Sequence, residues 1–188
     1  MPSRIRKRVA VEKLEAIGTQ LLIALGENPQ DERVRDTPTR WARMWREFME
    51  RPLGALTTFD HAAADDQMVM VRGIRVWSMC EHHLLPFWCD ITIAYMPQKK
   101  VLGLSKFGRI AHYAASSLQL QERLVREIAD TVKIAASVDD VAVLAEGEHL
   151  CMTMRGIRTP AQMVSSVLDG RFKEPGMRAE FFALAGKK

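Results

Sequence analysis

Apolar residues recur along this chain with two different periods, and the change of period divides it. Over residues 9–25 the spacing is helical, with Leu14, Ile17, Leu21 and Leu25 on one stripe. Gly26-Glu27-Asn28-Pro29 stops that helix. Asp36 or Thr37 then caps a second helix, with Pro38 near its first turn. Trp41, Met44, Trp45, Phe48 and Met49 fall at i, i+3, i+4, i+7 and i+8, which predicts an apolar face packed into a core.

Further on, alternation replaces the helical period. Residues 68–78 predict two strands around Arg72-Gly73, and residues 91–95 predict another, ended by Pro97. A helix is expected from Ser105, with Phe107, Ile110, Ala111, Ala114 and Leu118 on one side. The next runs from about Gln121, with Leu124, Ile128 and Val132 inward. Its outer face carries the i,i+4 pairs Glu122–Arg126 and Arg123–Glu127. Residues 141–144 and 163–168 read as strands, and Pro175 opens a short last helix through Phe182. This order of elements predicts an α+β fold with a largely antiparallel sheet. No repeat or low-complexity linker interrupts it.

Composition narrows the picture. A length of 188 residues, 47 % apolar, suits one compact domain with a substantial core. No apolar run is long enough to span a bilayer, so no membrane role is expected. The first thirteen residues are basic but lack the apolar stretch of a secretory signal. The expected setting is therefore a reducing cytoplasm, where cysteines serve metals or catalysis rather than disulfides. A net charge of +4 arises from 27 basic and 23 acidic residues interspersed, which suits an anionic ligand and argues against nucleic acid. The cluster Arg4, Arg6, Lys7, Arg8 reads as a solvated tail.

The candidate chemistry is concentrated in two short runs. Cys80-Glu81-His82-His83 and His149-Leu150-Cys151 contain two of the three cysteines and three of the five histidines. Thiolate and imidazole are preferred zinc donors, so the two runs together read as a metal site. Cys80, His83 and Cys151 would supply three ligands, the number that leaves a catalytic zinc open. His82 and His149 remain as spare imidazoles. The plainer reading is two buried thiols with satisfied surface histidines. Cys89, beside Trp88, reads as a packed thiol, and His61 and His112 have no partner pattern.

Weaker signals surround these runs. Ser105-Lys106 at a helix start, with Arg109 one turn on, is a pattern that attracts phosphate, and Arg155 and Arg158 follow the second run. Gln121-Glu122 opens the next helix, where a carboxylate could accept hydrogen bonds from a guanine edge or simply complement the helix dipole.

Five motifs in one order resemble the GTP cyclohydrolase I family. They are Asp36-Thr37-Pro38-Thr39-Arg40, the run from Ser78 through Cys80-Glu81-His82-His83 to Phe87, Gly103-Leu104-Ser105-Lys106, Gln119-Leu120-Gln121-Glu122-Arg123-Leu124, and His149-Leu150-Cys151-Met152 on to Arg155-Gly156-Ile157. The likeness runs from about Glu32 to the end. It implies one domain over residues 1–188, with a helical part at 1–50 and a catalytic tunnelling-fold part at 66–188, an antiparallel sheet backed by two helices. It implies a homodecamer of two stacked pentamers, with active sites at subunit boundaries.

Carried over by position, the resemblance assigns zinc to Cys80, His83 and Cys151. Zinc would lower the pKa of water and supply hydroxide for attack on guanine C8. His82 and His149 would move protons, and Ser105 would assist ribose opening. Glu122, helped by Gln121, would read the guanine edge. Lys106, Arg109, Arg155 and a neighbouring subunit's Arg40 would grip the triphosphate. The implied products are formate and 7,8-dihydroneopterin triphosphate, the first step of folate or pterin biosynthesis. Glu81 would orient the loop or a ligand.

The chain departs from the family at Cys89, where many members have glycine or another residue, and in a threonine-poor stretch at 159–166. Its N-terminal extension is short, which gives no support to feedback control through that region. Two other readings remain: a paralogue acting on a related purine nucleotide, and a non-catalytic zinc-stabilised ring that binds nucleotide. The zinc-free nitrile reductases of the same fold fit the Cys80–His83 pairing poorly.

Overall fold

The helical spacing near the N-terminus becomes α1 (Val11–Ala24) and α2 (Thr37–Met49) in a computed structural model that describes residues 8–60 and 67–186. His61 and the basic residues Arg4, Arg6 and Lys7 lie outside the described residues. The chain divides into two compact units between Pro52 and Leu53. Within the first, α1 packs on α2 along a line different from the expected stripe. Gly18 and Leu22 are buried, whereas Ile17, Leu21 and Leu25 are exposed. The reason is close approach: a Cβ at Gly18 would sit 3.1 Å from the Pro38 Cα. On α2, Trp45 is buried edge-on between Trp41 and Phe48, while Met44 stays exposed and Ala42 is buried instead. Asp36 occupies the N-cap position, but its carboxylate bonds Arg40 at 3.2 Å rather than capping the helix.

The second unit is built on a five-stranded sheet. Its strands are β2 (Val69–Cys80), β3 (Pro86–Tyr95), β5 (Leu118–Gln119), β6 (Val141–His149) and β7 (Met163–Leu168). They lie in the order β5-β2-β3-β6-β7, antiparallel except for the short parallel pair of β5 with β2. A small separate antiparallel pair joins β1 (Thr58–Asp60) to β4 (Lys100–Leu102). The two strands expected around Arg72-Gly73 are one, because that dipeptide bulges without ending the pairing with β3.

Two helices cover one face of the sheet, α3 (Leu104–Ala115) and α4 (Gln121–Ala136). Phe107, Ile110, Leu124 and Ile128 point from them onto Val76, Phe87, Cys89, Ile91 and Val143, all of them buried. Each such side chain contributes about 1.5–3 kcal/mol of burial. Leu118, expected on the helix face, belongs instead to β5. On the opposite face, a 3-10 turn (Gly170–Lys173) and α6 (Pro175–Leu184) bring Phe172 and Phe181 against Ala94, Ala142 and Leu144. A short α5 (Leu150–Thr153) follows β6 directly. The result is the α+β arrangement expected, an antiparallel sheet backed by two helices. No helix among the described residues is long and apolar enough to cross a membrane.

Candidate metal centre and active site

The first Cys/His run turns tightly at the end of β2. The Cys80 N–H donates to the Leu85 carbonyl at 2.8 Å, and the Leu84 N–H donates back to the Cys80 carbonyl at 2.9 Å. Leu84 adopts φ +53°, a left-handed conformation that costs a branched residue roughly 1 kcal/mol and lets the chain reverse into β3. The turn brings Cys80 Sγ within 3.8 Å of His83 Nδ1.

Sheet register delivers the second run. β3 pairs with β6 so that Phe87 lies opposite His149. The start of β3 follows the metal turn, so the end of β6 and the first residues of α5 arrive beside it. Cys151 thereby joins Cys80 and His83, with ligand atoms all within 4.8 Å of one another. Burial raises the Cys151 thiol above its ordinary range, and the neighbouring Cys80 adds to the effect. A cation bound at the cluster would favour the Cys151 thiolate that burial disfavours. The three residues can hold a metal ion.

His149 is fixed from two sides. Its ring stacks on Phe87 at 4.3 Å between centroids and an interplanar angle of 4°. Its Nε2 lies 2.9 Å from Gln121 Oε1. The Gln121 amide nitrogen donates to the carbonyls of Ala145 at 3.1 Å and Met163 at 3.0 Å. Both amide protons are therefore used, and Oε1 can only accept. His149 must donate from Nε2, which leaves Nδ1 with its lone pair in the neutral ring. Burial lowers the His149 pKa, partly opposed by the Glu122 carboxylate, and favours that neutral form.

The remaining candidates occupy different settings. His82 is exposed, with its ring edge-on to His83 at 6.2 Å. Ser105, Lys106 and Arg109 stand on the first turns of α3, and Glu122 is exposed on the first turn of α4. Arg155 is exposed in the loop after α5. Arg40 belongs to the N-terminal unit, where it is exposed and paired with Asp36. Gln121 is fully buried, and its side chain is bonded to His149 and to the carbonyls of Ala145 and Met163. Cys89 is a packed thiol as expected, lying against Gly147 across the β3–β6 pair. His112 is half-buried on α3.

Sequence reasoning missed three contributors: Phe87 beneath His149, Gly147 beneath Cys89, and Arg123, which reaches Glu81 in the metal turn. The signal for two of them was available, since Phe87 and Arg123 lie inside the family-like motifs. Helical spacing pairs Arg123 with Glu127, but that contact is a loose 3.9 Å. The outward partner expected for Arg126 is likewise replaced, because Arg126 turns to Asp169 at 2.7 Å.

The fold is thus an α+β unit whose Cys80–His83–Cys151 cluster can hold a metal ion, with the His149 imidazole fixed by Phe87 and Gln121 near it in the chain. The family model of GTP cyclohydrolase I matches residues 14–186. A GTP cyclohydrolase 1 of Sulfurihydrogenibium sp. (strain YO3AOP1) is 44 % identical over 174 residues, 92 % of this chain and 93 % of that protein. One of Aquifex aeolicus (strain VF5) is 42 % identical over 175 residues, covering 92 % and 95 %. A GTP cyclohydrolase 1 1 of Pseudomonas aeruginosa is 43 % identical over 178 residues, covering 89 % and 94 %. The chain belongs to the GTP cyclohydrolase I family.

Proposed function

We propose that this protein opens the guanine ring of GTP at C8, releases formate and rearranges the remainder to 7,8-dihydroneopterin triphosphate. The observation that carries the reading is His149, its Nε2 bonded to Gln121 and its ring stacked on Phe87, close in the chain to the Cys80–His83–Cys151 cluster. That chemistry begins a folate or pterin pathway, and the cytoplasm is its proposed place.

Cys80, His83 and Cys151 are the proposed zinc ligands. A tetrahedral zinc with such donors sets neighbouring donor atoms roughly 3.5–3.8 Å apart. The 3.8 Å between Cys80 Sγ and His83 Nδ1 agrees with that spacing. Zinc held by these three residues would lower the pKa of water toward neutrality and so supply a nucleophile for C8.

The chain's own residues do the rest. His149 accepts a proton at Nδ1 while Gln121 keeps Nε2 protonated and the ring fixed on Phe87. His82, exposed beside the metal turn, exchanges protons with purine or ribose, and Ser105 assists the ribose rearrangement. The Glu122 carboxylate accepts from guanine N1–H and N2–H₂, and it repels the acceptor N1 of adenine. Lys106, Arg109 and Arg155, with the partner subunit's Arg40, grip the triphosphate through charge-assisted bonds. The proposed assembly is a decamer of two stacked pentamers, with each site completed at a subunit boundary.

Competition among GTP, dGTP and ATP tests the substrate side of this reading. GTP should be consumed, ATP should neither react nor compete, and Glu122→Gln should erase most of that discrimination. A protein that processes ATP as readily as GTP would overturn it. His149→Ala tests the chemistry: turnover should fall by about 10²–10⁴-fold while zinc and GTP remain bound.

A further inference from the structure

We propose that Arg123 is a positioning residue, which clasps the metal turn to the first turn of α4 through Glu81. The proposal rests on the reading of Cys80, His83 and Cys151 as zinc ligands. The turn's own backbone bonds close it on itself, between Cys80, Leu84 and Leu85. Besides the strand pairing of Cys80 with Gln119, the turn is tied to the rest of the fold by Glu81, which lies between Cys80 and His83. The Glu81 N–H donates to the Gln119 carbonyl at 3.2 Å, and its carboxylate accepts from Arg123.

Arg123 is built for this task. Its Nε donates to Gln119 Oε1 at 2.6 Å, and its Nη2 reaches both the Leu118 carbonyl at 3.0 Å and Glu81. Gln119 is itself fully buried, and its amide nitrogen donates to the Ala114 carbonyl at 3.1 Å and to Glu127 at 3.0 Å. One guanidinium on α4 thus ties together β5 and the metal turn, and Gln119 links it onward to the end of α3. The Arg123 and Glu81 side chains retain only 32 % and 29 % of their exposure, unlike a solvated surface pair. A lysine cannot reproduce the contact, because a point charge lacks the planar fork.

The position on α4 gives the clasp its meaning. Gln121, Glu122 and Arg123 are consecutive in the helix's first turn. They hold, respectively, His149, the proposed guanine contact and the metal turn. A helix cannot rotate one of these without moving the others, so Arg123 keeps the metal ligands in register with the imidazole and the base. Partners that orient metal ligands from behind typically change metal affinity or activity by 10–100-fold when removed.

The test compares the parent protein with Glu81→Gln and Arg123→Lys. Zinc affinity is measured by competition with a chromophoric chelator, and ligand geometry by the visible absorption of the cobalt(II)-substituted protein. Both variants should bind zinc about tenfold or more weakly and show altered cobalt bands. Glu81→Gln leaves the Arg123 bonds to Gln119 and Leu118 in place, so it decides the matter if Arg123→Lys fails to fold. Parental zinc affinity together with an unchanged cobalt spectrum in Glu81→Gln overturns the clasp. A parent protein that binds no stoichiometric zinc overturns the ligand reading beneath it, which is a different failure.

Discussion

The Gln121 amide oxygen accepts a hydrogen bond from His149 Nε2 at 2.9 Å, and that contact decides which nitrogen of the imidazole is free. Gln121 has no rotational choice, because both its amide protons are donated to strand carbonyls. Gln121→Leu removes the restraint while keeping similar volume. Turnover should fall by about 10–100-fold, with zinc content unchanged, since orienting partners contribute on that scale. Steady-state formate release beside metal analysis measures both quantities.

Cys89 and Gly147 form a second coupled pair, and it bears on stability. A Cβ at position 147 would collide with the Trp88 carbonyl oxygen and lie 2.6 Å from Cys89 Sγ. Gly147→Ala should destabilise the protein by about 1–3 kcal/mol, as overpacking does. Adding Cys89→Ala should not restore it, because the backbone oxygen remains in the way. Urea denaturation midpoints provide the comparison. Burial, helped by the charge on Asp90, pushes the Cys89 thiol pKa up to about 12, so a thiol reagent should leave it unmodified in the folded protein.

Asp169 supplies the pH-dependent prediction. Burial alone would raise its pKa, but the Arg126 guanidinium at 2.7 Å and the Lys133 ammonium at 3.6 Å outweigh that and lower it. A carboxyl with a folded-state pKa below its unfolded value contributes stability above the unfolded value, near 3.8, and loses it as pH falls through the folded one. Asp169→Asn should therefore cost about 1 kcal/mol at neutral pH, discounted because both cations are partly exposed. The difference between parent and variant should shrink as pH drops below that value. Denaturation at a series of pH values reads it out.

The end of α4 offers a stabilising change. Ser137 follows the helix in the left-handed conformation, with φ +55° and an exposed side chain. Glycine adopts that conformation without the Cβ penalty. Ser137→Gly should raise stability by about 0.5–1 kcal/mol, seen as a higher urea midpoint with the zinc content of the parent.

Legibility in the sequence followed the range of the interactions. The core faces of α3 and α4 are written in their apolar spacing, because Phe107, Ile110, Leu124 and Ile128 all meet one sheet. The α1 stripe misleads because that helix has apolar residues on more than one side, and contact at Gly18 selects which side is buried. The Cys80–His83 turn is local, so its donor spacing is visible directly. The His149–Gln121 bond joins residues 28 apart, and the Arg123–Glu81 contact joins residues 42 apart. Both depend on where α4 lies over the sheet, which no local spacing encodes. For Gln121 and Arg123 the sequence therefore indicates presence in a functional motif, while the structure supplies the partner.

The most direct measurement follows GTP with the metal under control. The purified protein, carrying one zinc per chain, should convert GTP to formate and a pterin that fluoresces after oxidation, in equal amounts. A chelator should abolish both products, and added zinc should restore them. Metal-replete, folded protein that leaves GTP intact would contradict the account.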